Sequence, residues 1–322
     1  MSGQPHAGPA VVALGGGHGL AAALQALRRV VDRPTAVVTV ADDGGSSGRL
    51  RRELGVLPPG DLRMALAALC GDDEWGRTWS DVVQHRFRSE GELHEHSVGN
   101  LLIVALWELL DDSVAGLDWV ARLLGAQGRV LPMSLVPLDI EAQVEETDGS
   151  VHRVRGQVAV ATTSGRVRSV SLLPESPPAC SEAVAAVHAA DWVVLGPGSW
   201  FTSVLPHLLV PDLAEALVRT SARRLLVLNL SAQPGETDGF APENYLEVLA
   251  AHAPELRLDV VLADPSTVVD PPALQKAAAA LGADLVLASM ARDDHPDQHD
   301  PDRLAGALRD LVAPDRLVSD RM

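Results

Sequence analysis

The sequence predicts an α/β fold: a doubly wound, mainly parallel Rossmann-like sheet with an antiparallel β insertion. Three observations support this class. Over the first ~110 residues, short apolar runs alternate with amphipathic stretches, and glycine-rich turns directly follow the apolar runs. The pattern becomes β-rich between about 130 and 173, and α/β alternation returns from Ser181. We therefore expect one domain over residues 1–322, with the insertion at about 130–173.

The N-terminal part begins with the strand–helix–strand pattern of a parallel sheet. Two apolar runs predict the strands, Ala10–Leu14 and Thr35–Ala41. Helical patterns are predicted at Leu20–Val31, Asp61–Cys70, Ser80–Arg88 and Ser97–Leu110, with an exposed loop at Gly71–Arg77.

The middle and C-terminal parts follow the same logic. Val151–Val160 and Val167–Leu173 predict strands of the insertion, and turn residues flank both. After Ser181 the predicted strands are Trp192–Leu195, Leu225–Leu230, Leu258–Ala263 and Ala283–Ala288. The predicted helices are Glu182–Ala190, Asp212–Ser221, Asn244–Ala253, Ala273–Leu281 and Arg303–Val312.

Composition narrows the class of partner. The formal net charge of −17 argues against nucleic acid, because phosphate backbones are bound mainly by Lys and Arg. Lys276 is the only lysine, so an anionic ligand would depend on backbone N–H groups, hydroxyls and a few arginines. No run of roughly 18 apolar residues predicts a membrane helix, and no signal peptide is recognisable. Two cysteines, in no metal-binding spacing, favour the reducing cytoplasm.

Two glycine-rich loops follow predicted strands, at the sheet edge where such folds bind ligands. Gly15–Gly19 follows the first strand, and glycines there let backbone N–H groups approach a phosphate. The spacing departs from the dinucleotide fingerprint, since Leu20 occupies its third glycine position. Gly196–Ser203 follows a fully apolar strand and has the composition of a phosphate or sugar cradle.

Two further segments carry polar residues at comparable positions. After the second strand, Asp42 and Asp43 offer acceptors for ribose hydroxyls, and Gly44–Arg49 supplies donors for an anion. Gly99 and Asn100 stand in the first turn of an apolar helix, where both cost stability, so we expect a tight backbone approach or an amide contact to a ligand there. No triad or nucleophile elbow is present, so we predict no catalytic residue and no metal ligand.

Together these loops resemble the YvcK-like branch, the gluconeogenesis factor group, of the CofD-like superfamily. The matching blocks, in order, are Gly15–Leu20, Val40–Arg51, Pro58–Arg63, His96–Leu102, Gly196–Ser203 and Asn229–Thr237. The resemblance implies a cytoplasmic, Rossmann-like protein that binds UDP-GlcNAc or a related UDP-sugar. It also implies a regulatory role in cell shape and cell-wall metabolism, and in growth on gluconeogenic carbon sources.

The loops and the resemblance together predict the residues that bind the nucleotide. They are Gly15, Gly16, Gly17, His18, Gly19, Asp42, Asp43, Gly44, Ser46, Ser47, Arg49, Asn100, Gly196, Pro197, Gly198, Ser199, Ser203 and Asn229. No cofactor is required beyond the UDP-sugar ligand.

Two other functions stay open at this point. A CofD-like 2-phospho-L-lactate transferase would use a nucleotide diphosphate donor, with Mg²⁺ bridging the diphosphate to Asp42 and Asp43. Against it, CofD proper carries Gly-Pro-Ser-Asn-Pro where this chain has Gly196–Ser199. An NAD-dependent dehydrogenase is disfavoured by the glycine spacing. The sequence also leaves open a homodimer and a cell-wall synthesis protein as partner.

Overall fold

The computed structural model describes residues 8–233 and 235–313. Its centre is a seven-stranded sheet in which all neighbouring strands are parallel. In chain order the strands are β1 (Val11–Gly15), β2 (Thr35–Val38), β3 (Arg129–Pro132), β7 (Trp192–Leu195), β8 (Arg223–Val227), β9 (Val260–Ala263) and β10 (Asp284–Leu287). Their order across the sheet is β10-β9-β8-β7-β1-β2-β3.

The middle strands of the sheet are apolar because helices cover both of its faces. Every residue of β1, β7 and β9 is buried, which is typical of parallel sheets packed on both sides. The strand order reverses direction between β1 and β7, so crossovers diverge there and leave a crevice at the carboxyl edge. The predicted α/β class is confirmed.

The helices connect the strands and flank the sheet. They are α1 (Gly17–Leu27), α2 (Gly45–Leu54), α3 (Gly60–Ala68), α4 (Glu74–Gln84), α5 (Val98–Leu110), α6 (Ser113–Leu124), α7 (Gln157–Ala161), α8 (Ser181–Ala189), α9 (Pro211–Arg219), α10 (Pro242–His252), α11 (Pro271–Ala280) and α12 (Pro301–Val312). A π-helical turn, Trp200–Val204, and a 3₁₀ turn, Leu205–Leu208, follow β7.

The antiparallel insertion is smaller than the sequence pattern indicated. It contains β4 (Asp139–Glu145), β5 (Val151–Arg155) and β6 (Arg166–Leu173), in the order β5-β4-β6. The segment near 130 is instead β3, which pairs in parallel with β2. The strand predicted over Val151–Val160 ends at Arg155, because Gly156 takes a φ of +103° and helix α7 follows.

Three helices differ from the sequence prediction. Helix α6 was not predicted, although Asp112 caps its first turn and Gly125 ends it in the left-handed conformation. Helix α4 begins at Glu74, within the segment predicted as an exposed loop, because Asp73 caps the N–H of Gly76. Helix α2 occupies most of the glycine- and serine-rich segment predicted to be a loop.

Among the described residues, no single helix is long and apolar enough to span a membrane. The pair Trp200–Leu208 and Pro211–Arg219 has sufficient length and apolar composition but is bent by 75° at its break.

Candidate functional site

A cleft of about 940 Å³ lies at the carboxyl edge of the sheet. The segments that follow β1, β7 and β8 line its middle, helix α3 lines it near β2, and helix α7 and the segment after β10 complete it. Half of the predicted nucleotide-binding residues lie on its wall. They are Gly16, Gly17, His18, Gly19, Pro197, Gly198, Ser199, Ser203 and Asn229.

The glycine loop after β1 forms the floor of the cleft. Helix α1 starts directly after Gly16, so its free N–H groups and positive dipole end face the cleft. A Cβ on Gly19 would lie 2.4 Å from the Pro197 carbonyl oxygen and 2.5 Å from the Gly198 Cα. Gly19 therefore lets the loop after β7 rest directly on the first turn of α1.

The loop after β7 is held by two side chains from the segment after β8. The Asn229 amide accepts from the Gly198 N–H at 2.9 Å and donates to the Gly198 carbonyl at 2.8 Å. The Ser199 hydroxyl donates to the Glu236 carboxylate, with oxygen–oxygen distances of 2.6 and 2.5 Å. Asn229 and Ser199, which were predicted as ligand contacts, thus fix the shape of the loop.

Two carboxyl groups stand at the helix N-termini of the cleft. Asp61 accepts from the Gly17 N–H and, at 3.2 Å, from the Thr39 hydroxyl. Burial, and then the negative charge of Asp42, raise the pKa of Asp61 to about 6. Burial also raises the pKa of Glu236, which accepts from the first residues of the π-helical turn. A carboxyl group therefore accepts from an N–H group at each of these two helix N-termini.

Two arginines supply positive charge at the β2 side of the cleft. Arg63 is 5% exposed, and its pKa is lowered to about 10 by burial and by the positive charge of Arg86. Its Nε donates to the Asn100 side-chain oxygen at 3.0 Å, and its guanidinium also donates to Gln84. A buried cation with a second cation beside it is arranged to attract an anion.

Asn100 contacts this arginine directly, and Ser46 contacts Asn100. The Asn100 amide nitrogen donates to the Ser46 hydroxyl at 3.1 Å and lies 3.5 Å from the Ser47 hydroxyl. His96 contacts the same Ser46 hydroxyl at 3.1 Å. Neither Asn100 nor Ser46 lines the cleft, so the structure assigns them the positioning of Arg63.

The acidic segment after β2 also makes protein contacts. Asp43 accepts from the Val158 N–H at 3.0 Å and so caps helix α7. Asp42 accepts from the Gly44 N–H at 2.9 Å. Arg49, which we expect to bind an anion, donates to the carbonyls of Glu92 and His94 at 3.2 and 2.6 Å.

Three glycines that were predicted to bind the nucleotide do not line the cleft, and each has a role in the fold. Gly15 ends β1, and Gly196 ends β7, where its N–H donates to the Leu14 carbonyl at 3.1 Å. Gly44 precedes helix α2 and accepts from the Gly48 N–H at 2.8 Å.

The cleft contains residues that the sequence reasoning did not assign to it. Asp61 begins a predicted helix, and Gln157 lies in a segment predicted as a strand. Glu236 and His299 come from loops with no glycine pattern of their own. Arg63 and Arg292 also line the cleft. The signal available for Glu236 was its place in the matching block Asn229–Thr237.

A metal site was tested on the donor groups. Within residues 8–233 and 235–313, no cluster of three or more His, Cys, Asp or Glu side chains is arranged to hold a metal ion. Asp42 and Asp61 are close enough for the charge of one to raise the pKa of the other. They are the pair that would face a cation bound with a diphosphate.

The family described as "2-phospho-L-lactate transferase CofD" matches residues 11–306. A relative from Mycobacterium tuberculosis that bears a gluconeogenesis factor name is 56% identical, over 95% of this chain and 91% of the relative. The "Gluconeogenesis factor" of Listeria innocua is 38% identical, over 81% of this chain and 79% of its own.

A solved structure supports the same assignment. The chain superposes with a TM-score of 0.85 on a UPF0052 family member from Bacillus halodurans, with 32% identity, covering 95% of this chain and 99% of the other. With its doubly wound sheet and glycine-lined cleft, this chain therefore belongs to the CofD family, in the gluconeogenesis factor group.

Proposed function

We propose that this protein binds a UDP-sugar, UDP-GlcNAc or a close relative, and regulates metabolism without turning the ligand over. The observation that supports this most strongly is the composition of the cleft. Its floor is a glycine loop at the N-terminus of α1, and Arg63 and Arg86 stand at one side. This arrangement suits a diphosphate linked to uncharged groups on both sides.

The volume of the cleft fits a ligand of this size. About 940 Å³ lies near the upper end of the range for small-molecule sites, about 300–1,000 Å³. The relatives' name places them in gluconeogenic growth, and we extend that role to this protein. A regulatory role in cell shape and cell-wall metabolism, in the cytoplasm, belongs to the same proposal. A homodimer and a cell-wall synthesis protein remain candidate partners.

Transfer chemistry is the second candidate. It is favoured by the description of the matching family as a transferase and by the carboxylate pair Asp42 and Asp61 beside the glycine loop. In that case Mg²⁺ would offset the repulsion between these carboxylates and a diphosphate donor. Asp61 could then also accept a proton from an attacking hydroxyl, since its pKa is about 6.

Calorimetry separates the two candidates. UDP-GlcNAc, UDP, GDP and NAD are titrated into the protein in EDTA and again in Mg²⁺, and products are analysed after long incubation. We expect UDP-GlcNAc to bind in EDTA and to be recovered intact. Strict Mg²⁺ dependence together with release of UDP or transfer of the sugar would establish the transferase instead.

A further inference from the structure

Three residues that line the cleft each carry a buried acceptor atom without a partner. Among the described residues, the buried side-chain polar atoms that lack a hydrogen bond include Gln157 Oε1, Gln233 Oε1 and His299 Nε2. All three residues line the cleft. Buried polar atoms are normally paired, and leaving one unpaired costs about 1–3 kcal/mol. Three such atoms on one wall indicate where a bound molecule supplies their partners.

All three atoms accept hydrogen bonds rather than donate them. The glutamine atoms are amide oxygens. His299 is neutral because burial lowers its pKa to about 4, and the Leu228 backbone is the hydrogen-bonding group next to its ring. Its free Nε2 therefore carries a lone pair. A group that satisfies this wall must bring O–H or N–H donors.

The acceptors are held in place by local structure. The Gln233 N–H donates to the Thr237 hydroxyl at 2.8 Å, and the Gln233 carbonyl accepts from the N–H groups of Glu236 and Thr237. A Cβ on Gly235 would lie 2.8 Å from the Thr163 carbonyl oxygen, so this loop packs closely against the end of α7. That packing brings the helix that carries Gln157 to the loop that carries Gln233.

Gln233 and His299 lie on the opposite side of the glycine loop from Arg63 and Arg86, and helix α7, which carries Gln157, reaches from Asp43 to the loop of Gln233. Arg63 is on α3, which follows β2, whereas Gln233 follows β8 and His299 follows β10. In the sheet, β2 lies on one side of β1, and β8 and β10 lie on the other. A diphosphate over the glycine loop would therefore extend one substituent towards the arginines and the other towards the acceptors.

The hydrogen-bonding groups on each substituent of the diphosphate indicate which side of the cleft that substituent occupies. The nucleoside carries two ribose hydroxyls next to the diphosphate, and its uracil at the far end carries one N–H and two carbonyl oxygens, which suit the donor-rich side with Arg63 and Arg86. A hexose with an acetamido group carries three hydroxyls and one N–H, which suit three acceptors. We propose that Gln157, Gln233 and His299 form a sugar subsite that accepts hydrogen bonds from the hexose and distinguishes a UDP-sugar from UDP. This inference rests on the proposed UDP-sugar function.

The test compares two ligands on matched variants. Dissociation constants for UDP-GlcNAc and UDP are measured by calorimetry on the wild type and on Gln157→Leu, Gln233→Leu and His299→Phe. We expect each variant to weaken UDP-GlcNAc binding about 10-fold, the effect of one lost hydrogen bond to a buried acceptor, and to change UDP binding less than about 2-fold. His299→Gln, which keeps an acceptor oxygen, should restore most of the difference.

The control is Gln143→Leu, the same change at an exposed position of β4, which should leave both constants unchanged. Circular dichroism and urea midpoints verify that the variants fold. If a variant weakens the binding of UDP-GlcNAc and UDP equally, the acceptors contact the nucleotide and not the sugar. If neither dissociation constant changes, water satisfies the acceptors. Either result overturns the proposed sugar subsite. If the wild type binds neither ligand, the UDP-sugar function itself fails.

Discussion

Asp61 links ligand binding to pH at the scale of a single residue. Its carboxyl, with a pKa of about 6, accepts from the Gly17 N–H at the helix end where we expect the diphosphate. A bound diphosphate adds negative charge and raises this pKa further, so binding takes up a proton. We therefore expect the affinity for UDP-GlcNAc to increase as pH falls from about 8 to about 6.

The measurement is calorimetry across this pH range in buffers of different ionisation enthalpy. UDP-GlcNAc is suitable because its diphosphate is esterified at both ends and does not titrate there. Asp61→Asn should bind more tightly than the wild type at high pH and lose the pH dependence. If the affinity of the wild type for UDP-GlcNAc does not change with pH, Asp61 does not lie beside the bound diphosphate.

Arg63 is the residue that we expect to contribute most positive charge to binding. It is almost fully buried, lines the cleft, and is held by Asn100 and Gln84. We expect Arg63→Gln to weaken UDP and UDP-GlcNAc equally, by about 10- to 100-fold, since a charged hydrogen bond contributes about 1.5–3 kcal/mol. Arg153→Gln makes the same change at an exposed arginine of the insertion and should have no effect. If Arg63→Gln binds both ligands as tightly as the wild type, the β2 side of the cleft does not bind the anion.

At the scale of secondary-structure elements, Gly19 determines how closely α1 approaches the loop after β7. Its substitution by alanine places a methyl group within 2.7 Å of three backbone atoms. We expect Gly19→Ala to lower the free energy of unfolding by about 1–3 kcal/mol, as overpacked sites do, and to weaken ligand binding.

Gly306→Ala is the matched control, because nothing lies within 4 Å of a Cβ at this helical position. It should stabilise the protein by about 0.5–1 kcal/mol through lower backbone entropy in the unfolded chain. Urea unfolding of both variants measures the change in the free energy of unfolding. The prediction is contradicted if Gly19→Ala and Gly306→Ala change this free energy in the same direction.

Asp43 joins the insertion to the parallel sheet. Its carboxylate caps α7 from a segment 115 residues earlier in the chain. We expect Asp43→Ala to lower the free energy of unfolding by about 0.5–2 kcal/mol, the usual effect of a lost cap, and to speed hydrogen exchange at Val158. A ribose contact would instead weaken UDP binding by about 1–3 kcal/mol with little change in stability. Urea unfolding and calorimetry on one variant distinguish these outcomes.

At the scale of the whole molecule, the cleft joins both halves of the sheet and the insertion. A ligand there binds only the folded chain, so 100 times its dissociation constant adds about 2.7 kcal/mol to stability. The melting temperature should rise by at least several degrees with UDP-GlcNAc, at roughly 2–4 °C per kcal/mol for somewhat smaller domains. NAD should produce no rise. Equal rises with both nucleotides would contradict the UDP-sugar proposal.

By itself the sequence determined the α/β class, the family and the loops at which to search for a ligand. These depend on local patterns: an apolar run that is buried on both faces, a glycine turn at its end, and an amphipathic helix after it. The loops after β1 and β7 are in the cleft because the carboxyl ends of parallel strands share one edge. Helix α6 also has local signals at its two ends, Asp112 and Gly125, although no helix was predicted between them.

Only the tertiary structure decided which side chains line the cleft. Asp42, Asp43 and Asp61 are equally acidic in the sequence, but one binds its own loop, one caps α7, and one reaches the cleft. Asn100 is likewise a partner of Arg63 because α5 packs beside α3. These outcomes depend on contacts between segments far apart in the chain, where a rotation or shift of one element redirects every side chain on it. A local pattern cannot encode that geometry.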